Sequence, residues 1–504
     1  MEGSLRAVDT GVFLEVPFDD ARGAVMVAGR VSYAGWLFTA AQSSTSLAYG
    51  DYAGRVSYET SPGTRISIFG FGAHDYLAEK QKGGDDIRLF DTTFHRVNLR
   101  LDQRLSDDSD VRFDVVLGWD QTGLNQDREV IDRMLQTRAT LRHDFSDTVA
   151  LRAGFDVVAD EYAFDLARGA EDGFVDFFRP RTDVVMGAWA VVPLRLGDRL
   201  SMVPGLRTDV YASGNESAAS VDPSLGSDLE IVRGLSLLAN AGLASQMPSF
   251  IVAGPGFRPG LDQGGLQRAF HTSGGLEIEP DRIGQATDPL ESIWTLKAIG
   301  YRVGFFSIND ALGTSPLSGE GFPDGFGRFD QRYLGTSTGL ELSVRRRLRH
   351  GLGMTLAYSL GRSERTAGTL TVPSGFDRTH VGSAAFSFDF GAGFFGGLRN
   401  LFYSGSPLIK DDLDGRLVVK DRLDAFYRLD WRFEKRWTLG QTGWIALVAE
   451  VANTFLAAEE IGEECAYELA SDPNSIAPVV IAERCQRTTL GPVTIPSLGV
   501  EGGY

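Results

Sequence analysis

In the stretch FYRLDWRFEKRW, Phe426 to Trp437, the apolar residues Tyr427, Leu429, Trp431 and Phe433 share one parity, and Arg428, Asp430, Arg432 and Glu434 share the other. Successive side chains of an extended strand point to opposite faces, so this alternation separates an apolar face from a charged one. A helix turning about 100° per residue would smear the charges around its whole circumference. Taken singly, the segment fits any half-buried strand, but the pattern recurs. VALRAGFDV sets Val149, Leu151, Ala153, Phe155 and Val157 against Arg152 and Asp156, and RVNLRLD sets Val97, Leu99 and Leu101 against Arg96, Asn98, Arg100 and Asp102. Segments such as RISIFGFGAH, VRFDVVLGWD, SMVPGLRTDVYA, TGLELSVRRRL and HVGSAAFSFDF read the same way. They run for about 9 to 14 residues, longer than the roughly 5 or 6 of soluble strands and suited to a tilted membrane crossing.

The 504 residues show no composition break, Ser/Pro linker or low-complexity tract that would divide them into domains. No uninterrupted apolar run of about 18 residues occurs, which excludes transmembrane helices. A barrel stays open, because lipid-facing and lumen-facing residues alternate along its strands and cancel in a hydropathy average, here −0.10.

Link lengths sharpen the reading. Tight links at PFDDA, SPG, LSDDSD, FSDT, LGDR, VRG, IGYR, RHGLG, FGAGF and KRWTLGQ alternate with longer, irregular ones such as AEKQKGGDD and Phe250 to Pro280. Short turns on one side of the membrane and long loops on the other are the mark of outer-membrane barrels. Ten tight turns imply about 21 recognisable strands, the first being DTGVFLEVP; since such barrels are normally even-numbered, one upward strand is missing or degraded within Met1 to Val8. The fold class is therefore all-β, a transmembrane antiparallel β-barrel of about 22 strands, the size of a plugged transporter rather than of an open porin.

The order of several fragments carries a family resemblance. VPGLRTDVY, then VDPSLGSDLEIVRGLSLLANAGLASQMPSF, resembles a strand, an Asp-Pro turn, a strand and a Pro-rich loop; GLEIEPDR resembles the element before the next upward strand. YLGTSTGLELSVRRRLRHGLGMTLAYSLGRSERT, FDRTHVGSAAFSF, LFYSGSP, DAFYRLDWRFEKRW and ALVAEVANTF follow in order. The chain resembles the barrel portion of the TonB-dependent outer-membrane receptors over nearly all of its length. The resemblance implies residence in the outer membrane of a Gram-negative bacterium and uptake of a scarce ligand, such as a siderophore or another small solute. It also implies outer-membrane lipid and the assembly machinery as partners. Residues 1–504 read as one barrel domain without signal peptide or plug: MEGSLRAVDTG lacks a basic start, apolar core and cleavage site. The TonB system is then a partner only if a plug is supplied upstream or by another chain. A plugless passive channel, or a structural or adhesive barrel, is the alternative.

At the C-terminus, Leu498, Val500 and Tyr504 share one parity, and the aromatic final residue resembles the signal read by the assembly machinery. Trp36, Tyr52, Tyr76, Trp119, Tyr403 and Trp437 stand near strand ends, where aromatic girdles form. Recognition candidates fall in the long external loops. In Met247 to Pro280, Phe250, Phe257, Arg258, Arg268, Phe270 and His271 offer aromatic and basic contacts of the kind an anionic chelate needs. In the last loop, Leu456 to Arg487, lie the chain's only cysteines, Cys465 and Cys485. A disulfide between them would close about 20 residues and contribute roughly 3 kcal/mol on the chain-entropy estimate; two separate thiols are the alternative.

Chemistry is otherwise sparse. The six His are dispersed and form no metal-ligand spacing, so no metal or cofactor is expected. Glu459, Glu460, Glu463 and Glu464 read as a solvated acidic loop, and Arg345 to Arg349 as basic residues at a strand end. A net charge of −18 argues against a nucleic-acid partner. Nothing nominates a nucleophile with its base, so the chain is not read as an enzyme.

Overall fold

The computed structural model describes residues 1–33, 35, 45–79, 87–124, 128–166, 179–248, 258–262, 264–283, 292–308, 333–367, 370–411, 417–470 and 479–504. No helix among them is long and apolar enough to cross a membrane; the crossing elements are strands. They form one antiparallel sheet of 24 segments that closes on itself where Glu2–Arg6 pairs with Ile495–Gly503. Two staves each consist of two segments. Arg181–Val191 and Leu194–Leu196 pair with the same two neighbours on either side of Pro193, and Leu370–Pro373 continues His380–Gly391 along Leu352–Ala367. The barrel thus has 22 staves. Pro193 has no N–H to donate to a ladder. The break stays in register because Val192 N–H donates to Pro204 O at 2.9 Å and Pro193 O accepts from Ala150 N–H at 3.0 Å.

Alternation assigns the two faces. In Phe426–Leu439, Tyr427 and Phe433 stand exposed on the outer surface, while Glu434 is buried on the inner one. Across strands the outward residues fall into rows: Val97, Leu117 and Leu135 are successive cross-strand neighbours, all exposed. Such a band belongs against hydrocarbon. Leu117→Arg should accordingly cost about 2–4 kcal/mol in lipid, measured by urea unfolding in vesicles; an unchanged midpoint would put water, not lipid, against this face.

One outward row is aromatic. Gly72 lies between Tyr52 and His95 in the pairing, and His95 faces Trp119. The bare Gly72 lets the Tyr52 hydroxyl reach His95 Nδ1 at 2.9 Å, and the His95 ring stacks on Trp119 with centroids 5.5 Å apart. Tyr403, in contrast, has the inward parity and lies under the Arg378 guanidinium, 3.9 Å from its ring centroid, so it is not a girdle residue. Trp36 lies outside the described residues.

The upward strand read as missing or degraded within Met1 to Val8 is present as a short segment. Glu2–Arg6 pairs with Thr10–Phe13 on one side and Gly499–Gly503 on the other, and the Met1 amine donates to Tyr504 O at 2.9 Å. An ion network lines the inside of this seam. Arg6 meets Glu501 at 2.6 Å and Glu450 at 3.6 Å; Arg432 meets Glu434, Glu450 and Glu501 at 3.1, 3.2 and 3.0 Å. Outward on the last strand, Leu498, Val500 and Tyr504 are all exposed.

Three sequence expectations are corrected. IGYR is not a turn: Ile299 to Arg302 lie within the strand Trp294–Ile308, and the link on that side is 279–293. Asp281 organises its exit, accepting from Ile293 N–H at 2.6 Å, Ser292 Oγ at 2.7 Å and Trp294 N–H at 3.3 Å. Burial pushes its carboxyl up, but these donors outweigh it and hold the group below the usual carboxylate range. Asp222-Pro223 is not a turn either, for both lie inside Glu216–Val232, and the hairpin turns instead at Gly214 and Asn215, with Gly214 at φ +56°. Finally, the loop read as Phe250 to Pro280 ends earlier, because Gln267–Ile278 is a full strand in register with Leu235–Gln246.

Outside the barrel wall, Pro407–Asp411 with Leu417–Arg422 and Glu459–Ala470 with Val479–Leu490 form two hairpins. The second sets Cys465 opposite Cys485, and Cys485 is disulfide-bonded. The hairpins touch where Arg487 meets Asp421 at 3.2 Å, and Arg378 on the wall meets Glu459 at 3.2 Å.

Candidate ligand-binding site

The inner wall is acidic near the long-loop end. The strands Ser109–Leu124, Arg128–Ser146, Val149–Leu166, Arg181–Val191, Leu200–Ser213 and Glu216–Val232 each turn an aspartate inward toward that end. In chain order these are Asp120, Asp132, Asp160, Asp183, Asp209 and Asp222, all buried. Asp156 adds a second carboxylate on the third strand.

Arginines neutralise part of this charge, one of them by crossing a neighbouring strand. Gly187 lies opposite Asp156 on one side and Asp209 on the other. A Cβ there would fall 2.2 Å from Arg207 Nη2 and 2.4 Å from Asp209 Oδ1, so a side chain at 187 has to push these charged ends aside. Arg207 passes over Gly187 to bind Asp156 through Nη1 and Nη2 at 3.0 and 2.9 Å, and it binds Asp209 through Nε at 2.8 Å. Arg96 leans over Gly118, directly opposite it, to bind Asp120 on the same adjacent strand, with Nη2 at 2.7 Å from Oδ2. Arg181 holds Asp183 through Nε at 3.0 Å.

A loop folds over this wall. Arg181 Nη2 donates to Arg258 O at 2.6 Å, and Leu261 N–H donates to Ser213 Oγ at 3.2 Å. Leu261 and Leu266 pack on Tyr211, with Val185, Ala218 and Met247 around them. Pro259 is fully buried. Beneath Arg258 and Pro259 remains a cavity of about 520 Å³. Its walls combine Asp156, Asp160, Asp222 and Arg207 with Val158, Val185 and Met247, and with the phenols of Tyr162 and Tyr211. The volume suits a small molecule, and a mixed apolar and charged lining both holds and orients one.

The recognition candidates separate. Arg258 roofs this cavity. Arg268 and Phe270 do not join it: they sit on the strand Gln267–Ile278 with the outward parity, Phe270 beside the exposed Leu243 and Arg268 beside the exposed Phe306. His271 faces inward but lines a separate cavity of about 950 Å³, together with Ser224, Asn240, Ser273 and Tyr301. Phe250 and Phe257 lie outside the described residues. The aspartates were missed as a set, although a signal exists. Trp-Asp, Ile-Asp, Ala-Asp, Thr-Asp, Thr-Asp and Val-Asp recur at 119–120, 131–132, 159–160, 182–183, 208–209 and 221–222, on the same parity of consecutive strands.

No protein-family model matches the sequence, and no curated protein matches it. Solved structures do. The ferric-catecholate import receptor Fiu of E. coli K12 superposes with a TM-score of 0.69 over 99% of this chain and 80% of its own, at 10% identity. The alcaligin outer-membrane receptor FauA of Bordetella pertussis gives 0.64 over 100% and 75%, at 11% identity. The ferripyoverdine receptor of the Pseudomonas aeruginosa outer membrane gives 0.68 over 99% and 71%, at 9% identity. The fold is that of the TonB-dependent receptor barrel. The resemblance read from the order of sequence fragments therefore holds at the level of architecture, with all 22 staves and the closure between first and last strand in place. In this receptor-type barrel the acidic cavity lies inside the lumen, near the end that carries the long loops.

Proposed function

We propose that the chain is the barrel of an outer-membrane receptor that captures a scarce small solute at its long-loop end and passes it through the lumen. Transport would be energised through the TonB system by way of a plug supplied upstream or by another chain. The observation that supports this reading is the roofed cavity of about 520 Å³ on the inner wall of a 22-stave barrel, below a loop pinned to that wall by Arg181 and Ser213. A purely structural barrel has no need of a half-apolar, half-charged recess at its mouth. The solved neighbours support it further, being import receptors and transporters for ferric and copper cargoes by their own descriptions. The hairpin that sets Cys465 opposite the disulfide-bonded Cys485 would keep the rim of the mouth ordered in an oxidising setting.

The test is to produce the protein with an export signal in Gram-negative cells with and without TonB, and to follow growth on a panel of limiting solutes. The expected result is an outer-membrane protein of heat-modifiable mobility and a solute whose uptake needs both the barrel and TonB. Entry that is indifferent to TonB would make the barrel a passive channel. Recovery from the aqueous fraction would remove the membrane reading altogether.

A further inference from the structure

We propose that the acidic cavity binds an organic cation, a guanidinium or ammonium group carried on a small, partly apolar body. The proposal rests on the uptake reading and names the class of solute.

Charge is the first argument. Seven inward aspartates gather at this end of the wall, and Arg96, Arg181 and Arg207 engage four of them, Asp120, Asp183, Asp156 and Asp209. Asp222 accepts only hydroxyls, from Ser220 at 3.0 Å and Ser245 at 2.8 Å. Asp132 and Asp160 have no ion-pair partner among the described residues. Arg258 and Arg96 both attract them from a distance, yet neither contacts them as an ion pair.

Asp132 is the second, independent argument. It is only 8% exposed, and its Oδ1 has no hydrogen-bond partner. A buried carboxylate oxygen without a donor is costly. Asp132 stands opposite Asp120 on one neighbouring strand and opposite Tyr162 on the other, and Tyr162 lines the cavity beside Asp160. Asp132 thus adds an uncompensated negative charge behind the cavity wall, next to Tyr162 and Asp160.

Shape narrows the class. The carboxylates come from successive strands, and among the described residues no three acidic, histidine or cysteine groups converge as a metal-ligand set. A charge spread along a wall matches a ligand with reach and several N–H donors rather than a bare ion. Val158, Val185 and Met247 offer a surface for its methylenes, and the Tyr211 ring a face for its charged end.

The test uses the purified full-length protein in detergent micelles and isothermal titration with agmatine, which carries guanidinium and ammonium ends. The matched probe is 4-guanidinobutanoate, in which a carboxylate replaces the ammonium. Agmatine should bind, and the carboxylate analogue at least tenfold more weakly. Asp132→Asn and Asp160→Asn should each weaken agmatine at least tenfold, whereas Asp228→Asn, on the other cavity, should leave it unchanged. Heat-modifiable mobility confirms that each variant is folded. Absence of agmatine binding, equal binding of the two probes, or wild-type affinity in both cavity variants would overturn the proposal. TonB-dependent uptake of some other solute alongside such a result would leave the transport reading standing, and a protein that never reaches the outer membrane would sink that reading whatever agmatine does.

Discussion

Deletion of residues 1–8 should abolish the folded barrel. Among the described residues, Glu2–Arg6 is the only element joining the strand Asp9–Phe18 to the last strand, through four register pairs on one side and five on the other. Without it, two edges of backbone N–H and C=O groups would face hydrocarbon, where each unpaired group costs several kcal/mol. Arg6 would also leave Glu501 and Glu450, its partners at 2.6 and 3.6 Å. The expected readout is complete loss of the heat-modifiable band on electrophoresis. Arg6→Gln, which keeps the strand, should retain that band and lose about 1 kcal/mol, as expected of a partly exposed ion pair. A truncated chain that migrates and melts like the intact one would show that another segment closes the cylinder.

Arg207→Ala should be the most damaging single substitution on the inner wall. Its guanidinium serves Asp156 and Asp209, whose side chains are 5% and 3% exposed. Removing one partner of a buried pair leaves a charge uncompensated, at roughly 3–5 kcal/mol in a fully dry setting. Because Arg207 itself is 37% exposed, about 2–3 kcal/mol is the expected loss in urea unfolding from micelles, after discounting for solvent screening. Adding Asp156→Asn and Asp209→Asn should recover most of it, and Gly187→Leu should reproduce the damage by blocking the passage. If the triple variant is no better than Arg207→Ala alone, the loss comes from packing rather than from stranded charge.

Much of the barrel was legible because one rule, the alternation of faces, holds along most strands. It failed where the faces themselves blur. Around Ile299 to Arg302 the inward positions Ile299, Tyr301 and Val303 are apolar, and the outward ones include Gly300, Arg302 and Gly304, so hydrophobicity gave no parity and a turn was read in mid-strand. His271 to Gly275 looked like loop because of its Thr-Ser-Gly-Gly run. Those small residues instead let strands approach: a Cβ on Gly275 would sit 2.1 Å from Ala298 O. The first strand is five residues long, too short to show a period. The cavity was legible only at Arg258. The acids that line it come from four strands, and the recurring Xaa-Asp pairs mark a site only once those strands are placed side by side.

The passage of Arg207 over Gly187 ties distant positions into one inherited unit. A diverging homologue that acquires a side chain at 187 has to give up the guanidinium at 207 and then shed a negative charge at 156 or 209. Drift at these sites should therefore proceed in concerted jumps, and a lineage caught between two such jumps would assemble poorly.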